Sequence, residues 1–286
     1  MKALHIYSSA PFSKYHGDEE FYIDDFDILS SILSAIAWKK HNGPIKLYAD
    51  SRVLNYYREL GIDNLWDGGI DTETLDNPPA DIDQGIFWAA AKLFALKKEG
   101  APVLMIDQDL IVWKNIDHLL SKGDVLTFHR ENIDHAYPPL EYLRKAPGYV
   151  PKPEWSWNSL PCNTALAFIR KQWFLDYYLE NAFEFMRGNN QPDIEYVTRM
   201  VFAEQRILAM CAGAKRVNVN TCLDNPFQNE NDTFTHIWGG KDTAREDPGQ
   251  RSILCYSLIS KILKECPDFE PRTDKMAAVF NKYSEI

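Results

Sequence analysis

The sequence predicts an α/β fold: a central mixed, mostly parallel sheet flanked by helices. Three observations carry this reading. Short apolar strand-like runs alternate with helix-patterned ones along the first hundred residues. The most apolar run, "APVLMIDQD" (101–109), lacks the alternation of a half-exposed strand and suits the buried middle of a sheet. Glycines at 43, 61 and 100 close the helix-patterned segments.

In order, "KALHIYSS" (2–9) reads as a strand, followed by a loop rich in Gly, Asp and Tyr. In "DDFDILSSILSAIAWKKHNG" (24–43), Phe26, Leu29, Ile32, Leu33, Ile36 and Ala37 recur at helical spacing. "PIKLYAD" (44–50) is a second strand, "SRVLNYYRELG" (51–61) a helix, and "DNLWD" (63–67) a short third strand. Residues 84–99 predict a strong helix leading into the central strand, and "DVLTFHR" (124–130) predicts another strand. Residues 131–161 hold six prolines with Trp155 and Trp157 and show no periodicity, which marks a long functional loop. "NTALAFIR" (163–170) restores the strand pattern, two amphipathic helices follow at 172–187 and 193–212, and "KRVNVN" (215–220) is a late strand. "FTHIWGGK" (234–241) comes after a polar loop, and 251–265 is the last helix before a mixed polar tail. With no repeat, low-complexity tract or Gly/Ser linker, 1–286 is expected to be one unit.

Hydrophobic residues make up 45% and charged residues 25%, an ordinary globular balance with aromatics at 13%. The formal net charge of -10 argues against nucleic acid as a partner, because non-specific affinity for phosphates needs clustered Lys and Arg. Five widely spaced cysteines without a CxxC pair argue against a disulfide framework or a cysteine zinc site. The N-terminus enters a strand pattern directly, and no run approaches the roughly 18 apolar residues of a membrane span, so a cytoplasmic location is expected.

The central run stops at Asp107 and Asp109, separated by Gln108. Two ionised carboxylates so close repel unless a proton, cation or donor offsets them. Ligands of open α/β sheets bind outside the C-terminal ends of the strands, where this pair falls. Carboxylate oxygens select hard cations such as Mn²⁺ or Mg²⁺. The plainer alternative is a solvated turn.

"FWAAAKLFALKKEGAPVLMIDQDLIVWKNI" (87–116) resembles the region around the DxD motif of nucleotide-sugar glycosyltransferases of the GT-A fold, closest to their family-8-like retaining branch. "PCNTALAFIRKQWF" (161–174) is similar to the acceptor-side strand of that family, "FAEQRILAMCAG" (202–213) to its helix with an acidic-Gln pair, and "HIWGGK" (236–241) to its late metal and phosphate segment. The resemblance implies a GT-A-type, Rossmann-like sheet, with a nucleotide-binding half at 1–130 and an acceptor-side half with the C-terminal helices at 131–286. It implies metal ligation by Asp107, Asp109 and His236, with Asp107 touching metal or donor ribose. Lys92, Gly239 and Lys241 would face the diphosphate, and Asn163, Glu204 and Gln205 would surround the transferred sugar or acceptor. The implied activity is transfer from a nucleoside-diphosphate sugar, a UDP-sugar first, to a carbohydrate or lipid-linked glycan, with Mn²⁺ or Mg²⁺. Without the resemblance, Lys92 reads as a solvated lysine, Glu204 as a surface residue and His236 as a core histidine.

Two other functions fit parts of the pattern. A haloacid-dehalogenase-type phosphatase also carries hhhDxD, with Asp107 as nucleophile and Asp109 as acid/base, but at its N-terminus and followed by Thr or Val where Ile111 stands. A GT-A-like domain that binds nucleotide or glycan without transferring it is the non-enzymatic reading.

Overall fold

Apolar β-prone runs and their glycine or Asx stops fix most of the strands. The structure, a computed structural model, describes residues 1–133, 137, 148–189, 201–225 and 231–283. Its strands are β1 (Ala3–Tyr7), β2 (Ile45–Ala49), β3 (Ile70–Asp71), β4 (Val103–Ile106), β5 (Leu110–Val112), β6 (Val125–Thr127), β7 (Leu166–Ile169), β8 (Val219–Thr221) and β9 (Phe234–His236). The helices are α1 (Ala10–His16), α2 (Asp25–Asn42), α3 (Ser51–Glu59), α4 (Glu73–Asp76), α5 (Ala90–Glu99), α6 (Asp117–Leu120), α7 (Gln172–Gly188), α8 (Ile207–Lys215), α9 (Trp238–Glu246), α10 (Pro248–Glu265) and α11 (Asp274–Lys282).

Seven strands form one sheet in the order β3-β2-β1-β4-β7-β6-β8. β7 alone among them runs against its neighbours β4 and β6; the remaining pairings are parallel. The mixed, mostly parallel sheet flanked by helices is therefore as expected. β4 sits in the middle with all four residues buried, which accounts for its unbroken apolar run. Phe26, Leu29 and Trp38 of α2 and Leu258 and Ile262 of α10 belong to one apolar layer. Leu93 and Phe94 of α5, Phe174 and Tyr178 of α7, and Met210 of α8 belong to the other. Each such side chain contributes about 1.5–3 kcal/mol of burial free energy.

Several boundaries differ from the sequence reading. The third strand is Ile70–Asp71 rather than 63–67; Asp63–Leu65 is a 3-10 turn, and Trp66 turns inward to stack on Tyr57 with ring centroids 4.9 Å apart. The helix expected from 84 starts only at Ala90. Asp83 Oδ1 accepts the backbone N–H of Gly85 at 2.8 Å, an Asx turn that competes with helix just where periodicity suggested one. The loop after β1 contains α1, and the polar tail contains α11, capped by Thr273 accepting from Met276 N–H. Of the helix expected at 193–212, residues 193–200 lie outside the described residues. Phe202–Arg206 is π-helical, and α8 runs past Gly213 to Lys215, where Arg216 takes the left-handed conformation at φ 56°. Part of the Trp/Pro loop, 134–136 and 138–147, also lies outside the described residues. No helix among the described residues is long and apolar enough to cross a membrane.

Gly68 shows how tightly the β2 edge is packed. A Cβ there would lie 2.8 Å from the backbone carbon and oxygen of Ile45, which also accepts the Gly68 N–H at 2.8 Å. Gly68→Ala is expected to cost about 1–3 kcal/mol, read as a lower denaturant midpoint with an unchanged slope. An unchanged midpoint would show that this edge yields freely.

Candidate functional site

β4 ends in a tight turn. Asp107 N–H donates to Ala165 O at 2.7 Å, and Leu110 N–H donates back to Asp107 O at 3.0 Å. Gln108, between the carboxylates, is gripped from behind: its Oε1 accepts from Ser31 Oγ of α2 at 2.6 Å and from Tyr57 Oη of α3 at 2.9 Å. A second buried chain supports the exit from the turn. Trp66 Nε1–H donates to His5 Nδ1 at 3.2 Å, His5 Nε2 lies 3.1 Å from Ser34 Oγ, and Ser34 Oγ donates to Leu110 O at 2.6 Å. Burial lowers the pKa of His5 to about 3, a pull that outweighs the opposing charge of Asp109, so the ring stays neutral and works as a strut.

The two-stranded ribbon of β5 and β9 delivers the histidine. Its register pairs Leu110 with His236, and Ile237 N–H donates to Asp109 O at 3.1 Å. His236 Nε2 then lies 3.5 Å from Asp109 Oδ1. One donor atom from each of Asp107, Asp109 and His236 falls within 4.8 Å of the others. Ligands around a small octahedral cation stand about 3–4 Å apart, so modest side-chain rotation closes the set. Two carboxylates and one imidazole suit Mn²⁺ or Mg²⁺ and leave several positions open. The predicted ligands are thus brought together, and the residues present fit a hard divalent ion.

Lysines flank both carboxylates. Lys92 Nζ, from α5, stands 2.7 Å from Asp107 Oδ1 and 3.2 Å from Glu204 Oε1. Lys241 Nζ, from α9, stands 2.6 Å from Asp27 Oδ1 and 2.9 Å from Asp109 Oδ2. Burial disfavours both ammonium groups, but the adjacent carboxylates outweigh it and hold both above the ordinary lysine pKa. Burial likewise opposes the Asp109 anion; the His236 hydrogen bond and Lys241 charge prevail and hold its carboxyl well below the usual range. Glu204 is different. Its side chain is 3% exposed, and burial pushes its pKa up against the pull of Lys92. It touches Lys92 rather than open crevice.

The other predicted residues sit on three different segments, Asn163 before β7, Gln205 in the π-helical turn and Gly239 in α9. Asn163 Oδ1 accepts from Ala165 N–H at 3.0 Å, and its Nδ2 donates to Glu131 Oε1 at 2.8 Å. Gln205 Oε1 accepts from Tyr137 Oη at 2.6 Å. Gly239 is exposed in the first turn of α9, where an added Cβ would meet nothing within 4 Å, so packing does not demand glycine there. That helix start has no side-chain cap. Sequence reasoning missed Asp27, which shares Lys241 with Asp109, and the pair His129 and Glu131. "FHRE" at the end of β6 places charged residues where an apolar strand stops, the same signal that exposed Asp107. A cavity of about 270 Å³ opens beside Lys92, lined by Tyr7, Phe12, Phe21, Tyr22 and Trp88.

The sequence matches a family of unknown function (DUF6734) over residues 8–238. No curated protein matches the chain. Among solved structures, it is similar to a PaToxG glycosyltransferase at 15% identity and a TM-score of 0.40, covering 99% of this chain and 84% of that one. It is also similar to the apo structure of a WbbM bifunctional glycosyltransferase at 10% identity and a TM-score of 0.42, covering 100% of this chain and 52% of that one.

Proposed function

The chain belongs to the family of unknown function DUF6734, and we propose that it is a metal-dependent glycosyltransferase of GT-A type, moving a sugar from a nucleoside-diphosphate sugar to a glycan or other acceptor. The observation that carries this reading is the Asp107, Asp109 and His236 cluster at the C-terminal mouth of the central strand. Bound there, Mn²⁺ or Mg²⁺ supplies positive charge for the diphosphate and so makes it a better leaving group.

The chain's own groups supply the rest. Each site lysine spends two of its three N–H donors on carboxylates, on Asp107 and Glu204 for Lys92 and on Asp27 and Asp109 for Lys241. One donor on each remains for a phosphate oxygen. The start of α9 has no side-chain cap, and Gly239, with open space at its Cβ position, adds an N–H group favourable to an anion. In this reading Glu204 acts through Lys92 by fixing its ammonium. The aromatic cavity beside Lys92 accepts the flat base, and a UDP-sugar is the first donor to try.

The test is thermal unfolding with UDP, UDP-sugars and other nucleoside diphosphates, each with and without Mn²⁺. Saturating UDP with Mn²⁺ is expected to stabilise the protein by about 2–4 kcal/mol, and UDP alone by much less. Equal shifts with and without the metal would sink the metal-dependent reading.

A further inference from the structure

A chain of hydrogen bonds links Glu131 to Asp107: Asp107 N–H donates to Ala165 O, Ala165 N–H to Asn163 Oδ1, and Asn163 Nδ2 to Glu131 Oε1. β6, which Glu131 follows, lies two strands from β4 in the order β4-β7-β6, about 10 Å away at ordinary strand spacing. That is roughly the span of a sugar ring and its neighbour. The pairing of β6 with β7 slips between Thr127–Ala167 and the Arg130–Cys162 bridge, so residues 163–165 bulge at this edge.

Two hydrogen bonds hold Glu131, and two more hold the residues before it. Its N–H donates to Pro161 O at 3.0 Å, and the preceding Arg130 guanidinium donates to Leu160 O at 3.0 Å. Asn163 Nδ2 donates to Glu131 Oε1 at 2.8 Å. His129, with 5% of its side chain exposed, has Nδ1 3.0 Å from Arg130 O. A carbonyl only accepts, so Nδ1 carries the ring proton, and Nε2 faces Glu131 Oε1 at 3.7 Å. The Asn163 amide thus occupies Oε1. Oε2 has no hydrogen-bond partner among the described residues, and the side chain is 32% exposed. A carboxylate held on one oxygen by an amide, with the other oxygen open, is the arrangement a general base requires.

We infer that Glu131 is a catalytic residue, binding the attacking hydroxyl of the acceptor through Oε2; this rests on the glycosyltransferase reading above. As the acceptor oxygen bonds to the anomeric carbon from the face opposite the diphosphate, its proton passes to Glu131, so the configuration inverts, in contrast to the retaining branch that the sequence resembles. The bond from that carbon to the diphosphate oxygen breaks, and its electron pair leaves on the diphosphate. Asn163 is the positioning residue that holds the carboxylate through its amide.

The experiment compares the unchanged protein with Glu131→Gln and Glu131→Ala. UDP affinity is measured with Mn²⁺, and transfer is measured from UDP-glucose, UDP-galactose and UDP-N-acetylglucosamine to a panel of simple glycosides. For E131Q, UDP affinity and the KM for the donor are expected within twofold of the unchanged protein, while kcat falls about 100-fold or more. Formate is expected to restore E131A activity at least tenfold, which a merely structural role would not allow. Transfer by E131Q within threefold of normal, or E131A indifferent to formate, overturns this assignment and leaves the glycosyltransferase reading standing. Failure of the unchanged protein to bind UDP with Mn²⁺, or to turn over any of these donors, overturns both.

Discussion

Asp109→Asn is expected to weaken binding of UDP in the presence of Mn²⁺ by about 100-fold or more, since even groups that only support metal ligands cost 10–100-fold when removed. The side chain keeps its shape but loses the negative charge. That charge is present throughout the neutral range because His236 and Lys241 hold the carboxyl well below its usual pKa against the cost of burial. Loss of the anion removes one of the proposed ligands and leaves Lys241 with Asp27 as its carboxylate partner. The ammonium is then freer to meet phosphate, so UDP binding without metal should hold or rise slightly. Calorimetric titration of UDP with and without Mn²⁺ separates the two effects. Affinity with Mn²⁺ within twofold of the unchanged protein would show that no cation is held at this turn.

Lys92→Met has the largest expected effect on stability. The ammonium joins Asp107 to Glu204, whose side chain is almost wholly buried. Breaking a buried ion pair from one side typically costs 3–5 kcal/mol, because the surviving charge has lost its partner and cannot reach water. For a chain of this length that is a fall in melting temperature of about 10 °C. Adding Glu204→Gln removes the orphaned carboxyl and is expected to recover most of the loss. It should not recover nucleotide affinity, because the phosphate donor is still missing. Recovery of both would make Lys92 a purely structural residue, and a K92M protein as stable as the parent would show that the pair contributes nothing.

The parts of the fold that the sequence revealed are those where local pattern and tertiary environment agree. The buried run 103–106 needed no partner to be recognised, and the carboxylates behind it are conspicuous because charge interrupts an apolar segment. The end of the helix closed by Gly100 was equally legible, but not its start, since Asp83 captures backbone groups by a local hydrogen bond that hydrophobic periodicity does not register. The direction of β7 was invisible for a similar reason: four apolar residues look the same running either way. Lys92 and Glu204 are far apart in sequence, and nothing in either segment announces that α5 and the π-helical turn at 202–206 meet over Asp107. His236 was identifiable only through resemblance, whereas the ribbon of β5 and β9 that sets it beside Asp109 is a matter of pairing register.

Gln108 is held by hydroxyl groups from two different helices, so the spacing of the acidic groups on either side of it is set before any ligand arrives. The backbone of the turn therefore has little freedom left to lose on complex formation, and only side-chain rotations, not the ordering of a loop, would remain to limit the association. If a cation is held at this turn as proposed, severing those two tethers, as in Tyr57→Phe combined with Ser31→Ala, is expected to slow its capture without removing any of the three proposed ligands.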